Sequence, residues 1–465
     1  MPDRLSALDA SFLYLEQPTT PMHIGGVAVF RRPRSGFDHD RLVDLVERRL
    51  TLVPRYRQKI RNVPGHVARP VWVDDQDFDV AYHVRRSALP KPGAEAQLNE
   101  LVGRLMSRPL DRGRPLWEIY LVEGLARGRF AIITKTHHAM VDGISAMDIG
   151  QVILDVTPTP RATPEDLWMP RPEPGSLQLV LTAAGEVVQR PAELADNLRV
   201  AALDAASTVR RVGDAVGGLF SAVRSAVRAA PGSPLNVPIS RQRRFAVART
   251  SLDSFRAVRK THGGTVNDVV LAVVAGALRN WLLSRGEPVT GSTTIRAMAP
   301  VSVRHGADAD GPSGNQVSAY LVDLPVGEAN AVVRLHHVSH AMRAHKDSGQ
   351  SVGADALVRL SGLAPPTMHA LGARVASGFS QRIYNLVVTN VPGPQFPLYA
   401  AGAKMLEMFP VVPLSKNQGV SIGITSYDGG VYFGLNADRD SMTDVDGLAA
   451  MIEESLDELV GTVPQ

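Results

Sequence analysis

A buried strand that runs straight into a pair of histidines is the strongest constraint on this chain. Residues 130–136 are rich in aromatic, β-branched and threonine side chains, which predicts a strand. The strand breaks at His137-His138, and Ala139-Met140-Val141-Asp142-Gly143 follows. Ile144, Met147, Ile149 and Val152 then take up an approximate helical spacing. A rigid strand end can aim side chains into a cleft, and loops at such ends commonly carry function. Histidine is the side chain best suited to take a proton near neutral pH, so His137 and His138 are candidate bases. A structural role and a metal site are the competing readings. Adjacent residues on an extended chain point to opposite faces, so the two imidazoles do not readily share one ion, and no metal is expected.

Elements of both kinds flank this stretch. Residues 27–30 predict a first strand, and Leu42, Val46, Leu50 and Val53 a helix with Asp38 as its N-cap. Arg55, Arg57, Lys59 and Arg61 alternate, as on a strand with one solvated basic face, and residues 72–84 read as acidic and extended. Leu98, Leu101, Val102 and Leu105 mark a helix. Pro115-Leu116-Trp117 opens a strand that forms a hairpin with residues 130–136. Prolines at 158, 160, 164, 170, 172 and 174 then mark a linker, followed by Ala-, Val- and Leu-rich residues 177–229, which read as bridging helices. Beyond a second boundary at residues 231–238, strands are expected at 245–250, 298–303 and 384–389. Residues 269–278 should form a buried helix, 336–345 another, and 420–427 with 431–436 a hairpin around Asp428-Gly429-Gly430. A helix at 445–460 follows. Mixed elements on both sides of a linker predict two α/β domains with a site between them: residues 1–175, a helical bridge at 176–235, and residues 236–465.

Composition narrows the chemistry. The chain has no cysteine, which excludes disulfides, thiolate-ligated metals and a Cys nucleophile. Its formal charge of +4 and pI near 9.3 suit anionic partners such as phosphate groups or acidic lipid headgroups. Only short basic clusters are present and no nucleic-acid-binding module is recognisable, so no nucleic acid is expected. The sequence holds no uncharged apolar run long enough to span a bilayer, and its start lacks the apolar core of an export signal. The expectation is a cytoplasmic protein.

His137 to Gly143 matches the His-His-x-x-x-Asp-Gly signature of the CoA-dependent acyltransferase superfamily, which includes chloramphenicol acetyltransferases and peptide-synthetase condensation domains. The whole chain resembles the bacterial wax ester synthase/diacylglycerol acyltransferase family, and looks most like actinobacterial triacylglycerol synthases. The resemblance rests on Leu-Asp-Ala-Ser-Phe at residues 8–12, Pro-Met-His-Ile-Gly at 21–25, and Pro115-Leu116-Trp117. It continues with Asn267-Asp268 in a Thr-Val-Asn-Asp-Val context, Pro-Val-Ser-Val-Arg ending at Arg304, and Asn-Val-Pro-Gly-Pro from Asn390. It implies two chloramphenicol-acetyltransferase-like α/β domains with mixed sheets, joined by helices, with a tunnel that acyl-CoA and the acceptor alcohol enter from opposite sides.

By that resemblance His138 is the general base, His137 supports it, and Asp142 with Gly143 holds the loop in shape. Asn267 lies near the reaction centre, with Asn267, Thr389 and Asn390 as candidate oxyanion donors. Pro115, Leu116, Trp117, Asp268 and Arg304 are structural, and Asp142 is expected to pair with Arg304 across the domain interface. The chemistry agrees: an alcohol needs a base to take its proton as it attacks a thioester, and no Ser elbow motif offers a covalent route. The implied activity is acyl-CoA-dependent synthesis of triacylglycerol from diacylglycerol, and of wax esters from long-chain alcohols, with no cofactor beyond acyl-CoA as cosubstrate. The expected setting is the inner membrane face or a lipid droplet, bound peripherally. A carrier-protein-dependent acyltransferase or condensation domain is the alternative within the superfamily, and a non-catalytic lipid-binding protein the alternative outside it.

Overall fold

In the computed structural model, residues 2–66, 68–140, 149–188, 229–302, 317–348 and 383–464 are described. Two six-stranded mixed sheets organise them. The first contains β1 (His23–Arg31), β4 (Val84–Ala88), β5 (Trp117–Leu125), β6 (Arg129–His137), β11 (Tyr399–Ala400) and β12 (Ala403–Val411), in the order β11-β12-β1-β6-β5-β4. Its neighbours are antiparallel except β4 and β5, which run parallel. The second contains β7 (Arg243–Ser251), β8 (Ile295–Ser302), β9 (Val317–Leu324), β10 (Leu386–Pro392), β13 (Val420–Tyr427) and β14 (Gly430–Asp438), in the order β7-β14-β13-β10-β8-β9. There β10 runs parallel to both β13 and β8.

Helices cover these sheets as the apolar spacing requires. On the first sheet lie α1 (Ala7–Leu15), α2 (His39–Arg49) and α4 (Glu95–Met106), with the single-turn α3 (Val80–His83) leading into β4. Asp38 caps α2 by accepting from the Arg41 N–H at 3.0 Å. On the second lie α7 (Leu252–His262), α8 (Val266–Ser284), α9 (Ala331–Ser348) and α10 (Val445–Val460). Among the described helices α8 alone is long and apolar enough to cross a membrane, yet 72% of that stretch is buried, where it forms the centre of the second domain's core. The β13–β14 hairpin turns at Asp428 and Gly429, whose φ angles of 44° and 84° fit a tight primed turn.

Three features depart from the sequence reading. Strands β11 and β12 come from the C-terminal part of the chain but complete the first sheet, β12 pairing with β1. Boundaries at 175 and 235 therefore do not divide the sheets. The two domains meet where Pro410 of β12 crosses the second sheet. Gly423 and Gly434, directly paired on β13 and β14, leave room for it, since a Cβ on Gly434 would stand 2.0 Å from the Pro410 carbonyl oxygen. Second, the supposed basic strand begins as a 3-10 turn, Pro54–Arg57, before β2 (Gln58–Arg61) pairs with β3 (Val71–Asp74). Third, its cations are paired, Arg57 out of solvent and Arg61 still exposed. Arg57 is buried against Asp166, Arg61 binds Glu173 at 2.8 Å, and Arg171 binds Asp74 at 3.3 Å. The proline-rich segment supplies these partners, so it lies docked along β2 and β3. After it, α6 (Ser176–Val188) packs Leu179 and Ala183 on Val63, Val71 and Val73; α5 (Ile149–Val152) precedes it. Of the bridge proper, residues 189–228 lie outside the described residues.

Candidate active site

Strand β6 delivers the histidines, and its end is gripped from both sides. The His137 N–H donates to the Leu116 carbonyl at 2.9 Å, and the His138 N–H to the Met22 carbonyl at 2.8 Å. Residues 138–140 then form a 3-10 turn. The Ala139 N–H donates to His137 Nδ1 at 3.0 Å, which places the His137 proton on Nε2. That nitrogen is buried and faces Glu16 Oε1 at 3.8 Å. Burial, with Arg112 and His138 nearby, pushes the His137 imidazole down to about 3, so it stays neutral. It is thus fixed by backbone and burial, which suits a support.

His138 is half-buried. Burial holds its imidazole below the ordinary histidine range, partly offset by its own backbone carbonyl. Nδ1 has no well-aligned hydrogen-bond partner among the described residues. The ring lies against Phe12 of α1, with centroids 3.9 Å apart and planes 22° from parallel. A neutral imidazole at a strand end is the protonation state that a general base needs.

The helix carrying Phe12 is itself anchored. Ser6 caps it by accepting from the Asp9 N–H at 3.0 Å, which accounts for the polar residue in an apolar stretch. Glu16, just past its end, accepts from the Met22 N–H at 3.2 Å and from Arg112 Nε at 3.0 Å. Arg112 also donates to the Leu13 carbonyl at 3.1 Å. Met22 therefore holds α1 through its N–H and His138 through its carbonyl.

Pro115, Leu116 and Trp117 lead into β5 beside the end of β6, where Trp117 is the register partner of Thr136. Besides the Leu116 carbonyl, Trp117 is fully buried, donates from Nε1 to the Tyr56 carbonyl at 2.7 Å, and stacks on His83 at 4.4 Å. His83 in turn donates to the Trp117 carbonyl at 2.8 Å, and burial keeps it neutral. Lys135, two residues before His137, is buried and donates to the Leu105 carbonyl at 3.1 Å and the Arg108 carbonyl at 2.5 Å. It caps the orphan carbonyls at the end of α4, and burial pushes its ammonium down to about 8.

In the second domain, Asn390 Nδ2 donates to Asn267 Oδ1 at 3.1 Å, which links β10 to the first turn of α8. Thr389 precedes Asn390 on the same strand, half-buried. With its oxygen engaged, Asn267 has its amide NH2 to offer as a donor. Asp268 closes a reciprocal N-terminal box with Thr265: it receives the Thr265 N–H at 2.8 Å, and its own N–H reaches Thr265 Oγ1 at 3.1 Å. Asp142, Gly143 and Arg304 lie outside the described residues, and with them the expected Asp142–Arg304 pair. Phe12, Glu16 and Arg112 received no role from the sequence. Phe12 stands in a recognised motif, but its contact with His138 spans more than a hundred residues and leaves no local signal. Among the described residues, no cluster of His, Asp and Glu is arranged to hold a metal ion.

The geometry can be set beside known proteins. Residues 5–270 match the model of the wax ester synthase/diacylglycerol acyltransferase catalytic domain, and residues 313–460 the C-terminal domain of the same family. A probable diacylglycerol O-acyltransferase of Mycobacterium tuberculosis is 48% identical over 274 residues, covering 56% of this chain and 96% of its own. A second from that organism is 34% identical over 466 residues, covering 98% and 96%. The solved wax ester synthase/diacylglycerol acyltransferase of Marinobacter aquaeolei VT8 superposes with a TM-score of 0.69 at 29% identity, over 98% of both chains. The first condensation domain of the CDA synthetase shares the fold at 15% identity, with a TM-score of 0.57 over 100% of this chain and 97% of its own. The chain belongs to the wax ester synthase/diacylglycerol acyltransferase family.

Proposed function

We propose that this protein is an acyl-CoA-dependent O-acyltransferase that makes triacylglycerol from diacylglycerol and wax esters from long-chain alcohols, with His138 as general base. The observation that carries the reading is a neutral, half-buried imidazole held at the end of β6 in a member of this family. An acceptor hydroxyl is too weak an acid to ionise at neutral pH. As its oxygen forms the bond to the thioester carbon, its proton passes to His138. When the C–S bond breaks, the imidazole returns that proton to the CoA sulfur. Nothing is left on the protein. Asn267, with Asn390 and Thr389 beside it, is the candidate donor set for the transient oxyanion, where one well-aimed donor is worth roughly a hundredfold or more in rate. Acyl-CoA is a cosubstrate, and the reading calls for no metal or prosthetic group.

The acceptor and the product are membrane-soluble, which favours peripheral association with the inner membrane face or a lipid droplet. In support, Leu167, Met169, Leu177 and Leu181 expose apolar side chains within one short stretch, and the chain carries a net charge of +4. The test of the activity is incubation with labelled acyl-CoA and diacylglycerol. Labelled triacylglycerol with free CoA as the released thiol is expected. Transfer only from a carrier-protein thioester would move the chain to condensation-type chemistry, and binding without turnover would make it a lipid-binding protein.

A further inference from the structure

Phe12 and His138 lie nearly face to face, 3.9 Å between centroids and 22° between planes. Two neutral rings gain little from so close an overlay, because their quadrupoles favour offset or edge-on contact. An imidazolium gains more. Its charge is drawn to the electron-rich face of a benzene ring within about 6 Å of the centroid. We propose that Phe12 acts through His138: its ring face both orients the imidazole and favours the imidazolium that forms while the acceptor oxygen attacks. The proposal rests on the reading of His138 as the base.

Among the described residues, the other surroundings leave this task to the ring. His137, beside His138, is held neutral and buried. His23, register partner of His137 on β1, donates from Nε2 to the Met106 carbonyl at 2.9 Å, and burial keeps it neutral too. Glu16 faces His137 rather than His138, and its oxygens are engaged by Met22 and Arg112. Among the described residues, no carboxylate is paired with the His138 ring. A charge formed there in a water-poor setting is costly unless something meets it. The face of Phe12 meets it without binding a proton, and so without competing for the one in transit. The contact is stronger in the protonated ring than in the neutral one, which is the condition for accelerating the chemical step. The anchoring of α1 through Glu16, Arg112 and Met22 keeps the two rings in register.

The test replaces Phe12 in the full-length protein with mono-, di- and trifluorinated phenylalanine, which drain the ring face while nearly preserving its shape, and with Phe12→Leu. Single-turnover acyl transfer from acyl-CoA is measured across pH at saturating substrate. The rate should fall stepwise with each fluorine, by about twofold to thirtyfold over the series. The acid limb should move to lower pH in the same order, with KM for acyl-CoA unchanged, and Phe12→Leu should lose at least as much as the most fluorinated ring. A rate indifferent to fluorination, or a loss that follows ring volume and is recovered in Phe12→Leu, would overturn the proposal. Full turnover in His138→Ala would instead overturn the assignment of the base, whatever the fluorinated series shows.

Discussion

Asp155 is the buried charge whose loss should be felt most widely. It follows α5 closely, and its carboxylate receives Arg49 Nη2 of α2 at 2.7 Å from each oxygen. Its backbone bridges Tyr399 of β11, with N–H to carbonyl distances of 2.7 and 2.8 Å. One residue thus ties a covering helix, the segment after the histidines and the returning strand of the first sheet. The side chains of Arg49 and Asp155 are 1% and 3% exposed. Asp155→Asn keeps the shape but strands a guanidinium out of water, a loss of about 3–5 kcal/mol for an unpaired buried partner. With a denaturant slope of about 3 kcal/mol per M, the urea midpoint of the first domain should fall by roughly 1 M or more. Tryptophan fluorescence can follow it, since Trp72 and Trp117 lie in that domain's core. The double replacement Arg49→Leu with Asp155→Leu should recover most of the loss, because it removes the charge as well as its partner. A shift below about 0.3 M in Asp155→Asn, or a double variant as unstable as the sum of the singles, would refute the reasoning.

Gly434→Ala should loosen the crossing of the two sheets, since its Cβ would meet the backbone oxygen of Pro410 at 2.0 Å. A destabilisation of about 1–3 kcal/mol with reduced transfer rate is expected, and unchanged stability would show that the sheets can separate freely. Acid should unfold the protein through its buried histidines. His23, His83, His137 and His138 all have pKa values lowered by burial, so the unfolded chain takes up protons below about pH 6.5 that the native state refuses. Stability present above that pH is lost as pH falls, at about 1.4 kcal/mol per pH unit for each histidine, until its native pKa is reached. Urea midpoints at pH 7.5 and 5.5 report this, and equal values would contradict it. Intact-mass analysis after incubation with acyl-CoA alone should show an unmodified chain, and a stable acyl adduct on a Ser, Thr or His would exclude direct transfer.

Much of this architecture was legible because its signals are local. The strand before His137, the cap of α2, the turn at Asp428-Gly429 and the helix at Val445–Val460 each follow from neighbouring residues. The return of β12 to the first sheet is not local. Its partner β1 lies several hundred residues earlier, and its half-buried alternation would suit either sheet. The basic residues around Arg57 misled for the same reason. Arg57 looks solvated until the proline-rich segment lays Asp166 against it, while Arg61 pairs with Glu173 and stays exposed. At the site, the histidine pair stood out by type and place, and Trp117 through the family motif that contains it. The means by which α1 grips the loop did not, because Glu16, Arg112 and Met22 meet only in three dimensions.

The most direct test compares single-turnover transfer from acyl-CoA to diacylglycerol in His138→Ala and His137→Ala, each checked for native folding by its unfolding midpoint. Loss of a general base costs about a hundred- to ten-thousand-fold. The account predicts that loss for His138→Ala in a folded protein. For His137→Ala it predicts a smaller rate effect accompanied by lowered stability, because that ring is buried and held by the Ala139 N–H. A near-normal rate in His138→Ala, with transfer abolished in a stably folded His137→Ala, would contradict it.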